Sequence, residues 1–354
     1  MYHFKNDYTE GAHPNILNKL LETNFIQQPG YGEDQYTVQA KDILRQKINS
    51  PTAPIHFVSG GTQSNLLVIS AILRPHEAVI SADTGHIYTN EAGAIEATGH
   101  KVIPVKSMDG KLNPSDIEKV MQQYLNKPHL VKPKLVFISN STELGTIYTK
   151  QELKALCEYC KSQKIFLYMD GARLGHALTA KNNDLTLADI FKFTDVFYIG
   201  ATKNGALLGE AIVFNNLNLE NDFNYSVKQK GALLAKGRLV SIQFLELFKD
   251  DLYYNLAKHA NTLAMQIAKT LKDLNYNFLT DSTTNQIFPI LPKTIIEKLS
   301  DKYSFLFWQD FDQDKAVIRL ITSWATDKEK VDEFIEDIKT FSNSDILKIA
   351  LSDN

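Results

Sequence analysis

Between residues 55 and 214, seven short apolar runs rich in β-branched and aromatic residues alternate with longer stretches of helical apolar spacing. The runs cover 55–58, 78–81, 101–105, 134–139, 165–169, 195–200 and 210–214. Runs this continuous are apolar on both faces, and strands buried on both faces belong to a mostly parallel sheet covered by helices. The alternation therefore predicts an α/β layered domain. The character changes after about residue 225. Residues 237–272 read as a long helical stretch, and two strand-like stretches follow at 285–291 and 316–322. Thr326 and Glu329 have the spacing of a capping box, and Val331, Phe334, Ile335 and Ile338 then form a helical apolar stripe. The predicted organisation is a large domain over 1–240 that includes an N-terminal arm, a smaller α+β domain over 241–342, and a polar tail over 343–354.

The chain has 354 residues, with 38 Lys and Arg against 41 Asp and Glu, a net charge of −3. That near-balance argues against a nucleic-acid or anionic-membrane partner, which would call for a basic excess. No run of apolar residues is long enough to predict a transmembrane helix. The first residues lack a basic stretch followed by an apolar one, so no secretory signal is expected. Two cysteines exclude a disulfide scaffold and fit a reducing cytoplasm. Cys157 and Cys160 form a CxxC, but with Leu153 and Leu156 they fall on one helical apolar stripe. There cysteine behaves as a small hydrophobe, and no metal is expected.

Four polar segments follow strand ends, where α/β sheets place their sites. Ser59-Gly60-Gly61-Thr62 precedes an apolar helix and reads either as a phosphate cup or as a tight strand–helix turn. Asp170 ends the run 165–169 and could serve a metal, a ribose, a proton transfer, a protonated ring nitrogen or a helix cap. Lys203 stands among small and apolar residues, where partial burial would make its amine a nucleophile able to condense with carbonyls. His86 could act in acid–base chemistry, stack against a flat ligand, or be structural. Taken together, a phosphate cup, a strand-end Asp, a strand-end Lys and a loop His are the parts that a pyridoxal 5′-phosphate site needs.

The segments 7–17, 30–37, 59–65, 85–99, 138–149, 169–178, 194–214, 229–239 and 319–326 resemble, in order, those of the threonine aldolases, in particular the low-specificity L-threonine aldolase group. The resemblance spans roughly residues 4–340. It implies the fold type I architecture of pyridoxal-phosphate enzymes, with a mostly parallel seven-stranded sheet and a smaller C-terminal α+β domain. It implies Lys203 as the lysine that attaches the cofactor, Asp170 as the partner of its ring nitrogen, and His86 stacked on the ring. Gly60, Gly61 and Thr62 are implied at the phosphate, Arg173 near the phenolic oxygen or the substrate carboxylate, and Arg319 as the main carboxylate anchor. Homodimers or homotetramers with shared sites are implied, in which Lys228 or Lys236 would reach a neighbour's phosphate and Tyr31 would cross the subunit boundary.

Two departures concern the β-hydroxyl. Asn6 stands where many relatives carry serine, and is expected at the substrate; Glu143 replaces a histidine in the loop after run 134–139. His129 is then the candidate second histidine, sharing with His86 the role of base, with Glu143 and Glu91 as weaker candidates. The implied reaction cleaves L-threonine or L-allo-threonine to glycine and an aldehyde. A β-eliminating lyase or an aminotransferase on the same fold is the alternative within the cofactor class. A non-catalytic relative is the alternative outside it, and the presence of Lys203 speaks against that reading.

Overall fold

The computed structural model describes residues 1–125 and 127–352. All seven predicted runs are strands: β1 (Ile55–Val58), β2 (Glu77–Ala82), β3 (Val102–Val105), β4 (Lys132–Ser139), β5 (Phe166–Asp170), β6 (Val196–Gly200) and β7 (Glu210–Phe214). They form one sheet in the order β3-β2-β4-β5-β6-β7-β1. Every pairing is parallel except the two made by β7. Strands β2, β6 and β7 are buried at every residue, as continuous apolar runs require. The cluster containing Ile80, Ile138 and Phe197 fills one side of the sheet, and that containing Val79, Phe137 and Tyr198 the other.

A second, antiparallel sheet comprises β8 (Gln286–Ile287), β9 (Ile290–Pro292), β10 (Leu306–Asp310) and β11 (Lys315–Ile321), with β11 pairing with the other three. Its apolar side packs on the helices Leu252–Asp273 and Lys328–Ser352 through Leu263, Ile267, Ile318 and Leu320, together with the predicted stripe Val331, Phe334, Ile335 and Ile338.

The secondary structure departs from expectation in several places. The stretch 285–291 is two short strands rather than one. Strand β10 is an addition to the expected elements: it is an edge strand whose residues are only half-buried or exposed, and its apolar residues Leu306, Phe307 and Trp308 run straight into the polar Gln309 and Asp310. The long helical stretch is broken where Asp250 and Asp251 take left-handed backbone angles, between helices Arg238–Leu247 and Leu252–Asp273. The last helix is capped one residue later than predicted. Asp327 Oδ1 accepts from the Glu329 N–H at 2.9 Å, while the Thr326 hydroxyl accepts from the Ser323 N–H. That helix continues through Ser352, across most of the expected tail, and residues 353–354 lie outside the described residues.

The expected division at residue 240 also falls inside continuous packing. Val240, Phe244, Tyr253 and Leu256 belong to the main core, while Leu263 onward belongs to the C-terminal core, so helix Leu252–Asp273 serves both. The N-terminal arm is expected to belong to the large domain. Instead, Tyr2 and His3 pair in parallel with Tyr303 and Ser304, and Phe4 is buried in the C-terminal core.

Candidate active site

A cavity of about 700 Å³ opens at the C-terminal edge of the parallel strands. Segments following β1, β2, β4, β5 and β6 line it, and β10 and β11 close it with Leu306, Trp308 and Arg319. Because β7 runs antiparallel to its neighbours, its first residue, Glu210, also reaches this edge.

The Gly-rich segment forms the start of helix Gly61–Ile72. No side chain caps that helix, so its first N–H groups remain available to an anion at the positive end of the helix dipole. Gln63 folds back to accept from Ser59 N–H and Oγ at 3.0 and 2.9 Å. A Cβ on Gly61 would stand 2.9 Å from the Tyr198 hydroxyl, so this turn has room only for glycine. Gly60, Gly61 and Thr62 all line the cavity.

Asp170 closes β5. Its Oδ1 accepts from the Ala172 N–H at 2.9 Å and its Oδ2 from Asn65 Nδ2 at 3.2 Å. Asn65 Nδ2 also donates to Glu91 Oε1 at 2.7 Å, and the Asn65 carbonyl oxygen accepts from the Tyr168 hydroxyl at 2.8 Å. The same Glu91 oxygen lies 2.9 Å from His86 Nδ1. A carboxylate at Nδ1 holds the proton there and leaves Nε2 able to accept one. Backbone placement of His86 comes from Glu143, whose Oε1 accepts from the His86 N–H at 2.9 Å and from Ser139 Oγ at 2.8 Å. Burial, and then the charge of Asp170, push the Glu143 carboxyl above its usual range.

Lys203 sits in the hairpin between β6 and β7. Burial and the neighbouring Arg173 charge pull its amine down, partly opposed by Asp7, Asp170 and Glu210. Glu210 clasps the start of this hairpin, accepting from Thr202 Oγ1 at 2.8 Å and from the Ala201 N–H at 3.2 Å. Burial lifts its carboxyl to about 8. A Cβ on Gly171 would collide with the Tyr198 carbonyl, so glycine there is what lets the ends of β5 and β6 approach.

Two arginines face this cavity. Arg173 forms a bidentate pair with Asp7, Nε to Oδ2 at 2.7 Å and Nη2 to Oδ1 at 3.0 Å. Arg319 lies on β11, a central strand, and its Nε is buried without a hydrogen-bond partner. Its guanidinium carbon is 5.5 Å from the centre of the Trp308 ring. Burial, and then the Arg173 charge, bring it down to about 10.

The cavity thus gathers Gly60, Gly61, Thr62, His86, Asp170, Arg173, Lys203 and Arg319, and leaves out five residues expected at the site. His129 is exposed before β4, at the opposite end of that strand from Ser139, which lines the cavity. The seven steps from Lys132 to Ser139 at about 3.3 Å each put roughly 23 Å between the two ends. Asn6 does not reach the cavity, because its Oδ1 caps a turn by accepting from the Tyr8 N–H and Thr9 Oγ1; Tyr8 lines the cavity instead. Tyr31 and Lys228 stack on each other outside it, the amine 4.5 Å from the ring centre, and Lys236 flanks a separate surface groove. Asp7, Asn65 and Glu210 were missed as individual residues. Of these, only Glu210 carries a local signal, as an acidic residue that opens an apolar strand, a feature it shares with Glu77 at the start of β2.

Comparisons with known proteins agree with this geometry. The model of the beta-eliminating lyase family matches residues 11–293. The low-specificity L-threonine aldolase of Pseudomonas aeruginosa is 32% identical over 339 residues, covering 95% of this chain and 96% of that protein. The solved threonine aldolase of Leishmania major superimposes with a TM-score of 0.95 at 44% identity, over 97% of this chain and 100% of that one. An aspartate aminotransferase of Thermus thermophilus shares the fold alone, with a TM-score of 0.72 at 13% identity, over 96% of this chain and 91% of that one. With a mostly parallel sheet that holds one antiparallel strand, a glycine cup, and Asp170 and Lys203 at neighbouring strand ends, the chain belongs to the threonine aldolase group of the beta-eliminating lyase family, on the fold type I architecture.

Proposed function

We propose that the protein is a pyridoxal 5′-phosphate-dependent aldolase that cleaves L-threonine, L-allo-threonine and related β-hydroxy-α-amino acids to glycine and an aldehyde. The observation that carries this reading is the shared cavity: an uncapped helix N-terminus, Asp170, Lys203 and an arginine with an unpartnered nitrogen converge on one space in a chain of this family. The residues fit the cofactor. The N–H groups at Gly61 and Thr62 would hold its phosphate, Asp170 its ring nitrogen, Lys203 its aldehyde, and His86 its ring face. When bound, pyridoxal phosphate supplies an electron sink for the pair released as the Cα–Cβ bond breaks.

The chain's own groups do the rest. Arg319 takes the substrate carboxylate and so fixes which bond at Cα stands ready to break. Nε2 of His86, held by Glu91, accepts the β-hydroxyl proton as the C–O bond becomes a carbonyl. Cα then regains a proton as glycine forms. The net change moves one proton from the β-oxygen to Cα, with no oxidation and no water consumed. His129 is absent from the cavity, and the two weaker candidates are engaged with His86 itself, Glu143 at its N–H and Glu91 at its Nδ1, which favours His86 as the base.

A homodimer or homotetramer is part of the same proposal. Phe25 is 94% exposed and Leu21 75% exposed, with Ile26 and Tyr31 beside them, an apolar face that a second copy would cover. Lys228 and Lys236 lie near this face, and in such an assembly one of them would reach a neighbour's phosphate. A reducing cytoplasm suits the two buried free cysteines. Among the described residues no helix is long and apolar enough to cross a membrane.

The experiment is product analysis. Incubation with L-threonine and with L-allo-threonine should yield acetaldehyde and glycine in equal amounts. A keto acid in their place would favour the β-eliminating lyase that the matching family is named for, or an aminotransferase.

A further inference from the structure

The two carboxyl oxygens of Glu143 stand in different surroundings. Oε1 accepts from the His86 N–H at 2.9 Å and from Ser139 Oγ at 2.8 Å. Oε2 makes no hydrogen bond to another of the described residues, and the side chain lines the cavity together with His86. The loop that carries Glu143 is fixed. The Asn140 N–H donates to the Asp170 carbonyl, and the Thr142 N–H to the Thr146 carbonyl. The second sheet adds a tether, since Gln286 Nε2 donates to the Thr142 carbonyl at 3.3 Å. Strands β2 and β4 are parallel neighbours, so the loops bearing His86 and Glu143 leave the same edge side by side.

The cleavage proposed above makes two demands on this part of the cavity. One group accepts the β-hydroxyl proton, the role given to Nε2 of His86. A second supports the β-oxygen as negative charge gathers on it, and a carboxylate in that place would oppose the charge. We propose that Glu143, carrying its own proton on Oε2, donates a hydrogen bond to the substrate's β-oxygen while His86 takes that oxygen's proton. The Glu143 proton is shared and stays on Oε2, and the β-oxygen, its proton lost to Nε2, becomes the aldehyde carbonyl. In the direction of synthesis the same contact polarises the aldehyde. A carboxyl group kept neutral can donate in this way. The titratable groups around Glu143 are Asp170 and Arg173 at the end of β5, His86 with its partner Glu91 after β2, and Tyr148 on its own segment. Burial, and then the Asp170 charge, favour the proton-bearing form, partly opposed by the Ser139 hydrogen bond, the backbone N–H of Glu143 and His86.

This inference rests on the aldolase reading, so its test includes a binding measurement that needs no cleavage. Glycine, L-alanine and L-serine are titrated on the holoenzyme and followed by cofactor absorbance; of the three, L-serine alone has a β-oxygen. The native protein should favour L-serine over L-alanine by about two- to tenfold, the scale of one hydrogen bond. Glu143→Gln keeps an oxygen for the His86 N–H and Ser139 and puts an amide N–H where the acid stood, so it should keep that preference. Glu143→Leu should lose it while binding glycine as the native protein does. On L-threonine the Leu variant should lose about a hundredfold in kcat, and the Gln variant should be at least about tenfold faster than the Leu variant. The native kcat should fall on the alkaline side along a limb that the Gln variant lacks, because losing the Oε2 proton removes the donor; a merely structural acceptor would not titrate in this way. A Leu variant that still prefers L-serine overturns the proposal, as does a Gln variant no faster than the Leu variant, which would make Glu143 act as an anion. Coincident pH profiles of the native and Gln proteins equally overturn it, and they decide the matter should the Leu variant fail to fold. A native protein that shows the L-serine preference, lost in the Leu variant, yet releases no acetaldehyde from L-threonine would dismiss the aldolase reading and leave the hydrogen bond in place.

Discussion

His86 and Glu91 meet through a 2.9 Å contact between Nδ1 and Oε1, and that carboxylate oxygen also accepts from Asn65, which in turn donates to Asp170. The residue proposed as base and the residue proposed at the cofactor's ring nitrogen are thus tied through one amide. Glu91→Gln should leave the fold intact but let the imidazole lose its tautomer and its orientation. A carboxylate in this role matters mainly for turnover. The expected outcome is a fall in kcat of about tenfold or more with little change in KM, checked by steady-state kinetics on L-threonine.

Lys203 should be the sole point of covalent attachment. Borohydride treatment of the protein loaded with pyridoxal phosphate should fix the label on the peptide containing Lys203. In Lys203→Ala it should fix none, as read by peptide mass spectrometry. Label on another lysine would remove Lys203 from this role.

Asp170→Asn replaces the anion that would keep the cofactor's ring nitrogen protonated. The amide can still accept from the Ala172 N–H, so the local turn should persist. The kcat should fall by a larger factor than KM rises, because the loss is felt as charge develops. Equal turnover with intact cofactor would reduce Asp170 to a helix cap.

Arg319 should behave as a desolvated clamp rather than as a surface charge. Its Nε is buried without a partner, and its strand is central. Truncating one side of such a pair costs about 2–5 kcal/mol, roughly 30- to several-thousand-fold in kcat/KM. Arg319→Ala should lose that activity and weaken glycine binding while the cofactor colour and Tm persist. Arg319→Lys should recover only part, since an ammonium lacks the planar fork. Activity within about threefold of the native value would match an exposed pair and dismiss the clamp.

His176 sets an acid limit on stability. It is fully buried, neither ring nitrogen has a hydrogen-bond partner, and burial brings it down to about 4. Above its ordinary value of 6.5 the ring is neutral in both folded and unfolded chains. As pH falls below that value the unfolded chain binds a proton that the folded protein refuses until about 4, so stability declines across this window. Asp7, held below the usual carboxylate range, keeps its charge meanwhile. His176→Leu should flatten the decline of Tm between pH 6.5 and 4, measured by thermal melts; an unchanged slope would assign the acid sensitivity to other groups.

The sequence by itself determined the seven strands of the main sheet and the stripe of the last helix, because burial on both faces of a strand or on one face of a helix leaves a periodic apolar record in the chain. It also determined the glycine cup, Asp170 and Lys203, since each directly follows a strand and strand C-termini share one edge of a parallel sheet. Only the tertiary structure decided what no local pattern encodes. Glu210 reaches the site because β7 runs against its neighbours, and His129 misses it because it precedes β4 instead of following it. Asp7 and Arg173, 166 residues apart, pair only once the N-terminal segment is fastened between the second sheet and the lysine hairpin. Arg319 stands without a partner on Nε because β11 is central and turns it inward. Strand direction and long-range ion pairs are set by which surfaces bury one another, and that burial exists only in the folded chain.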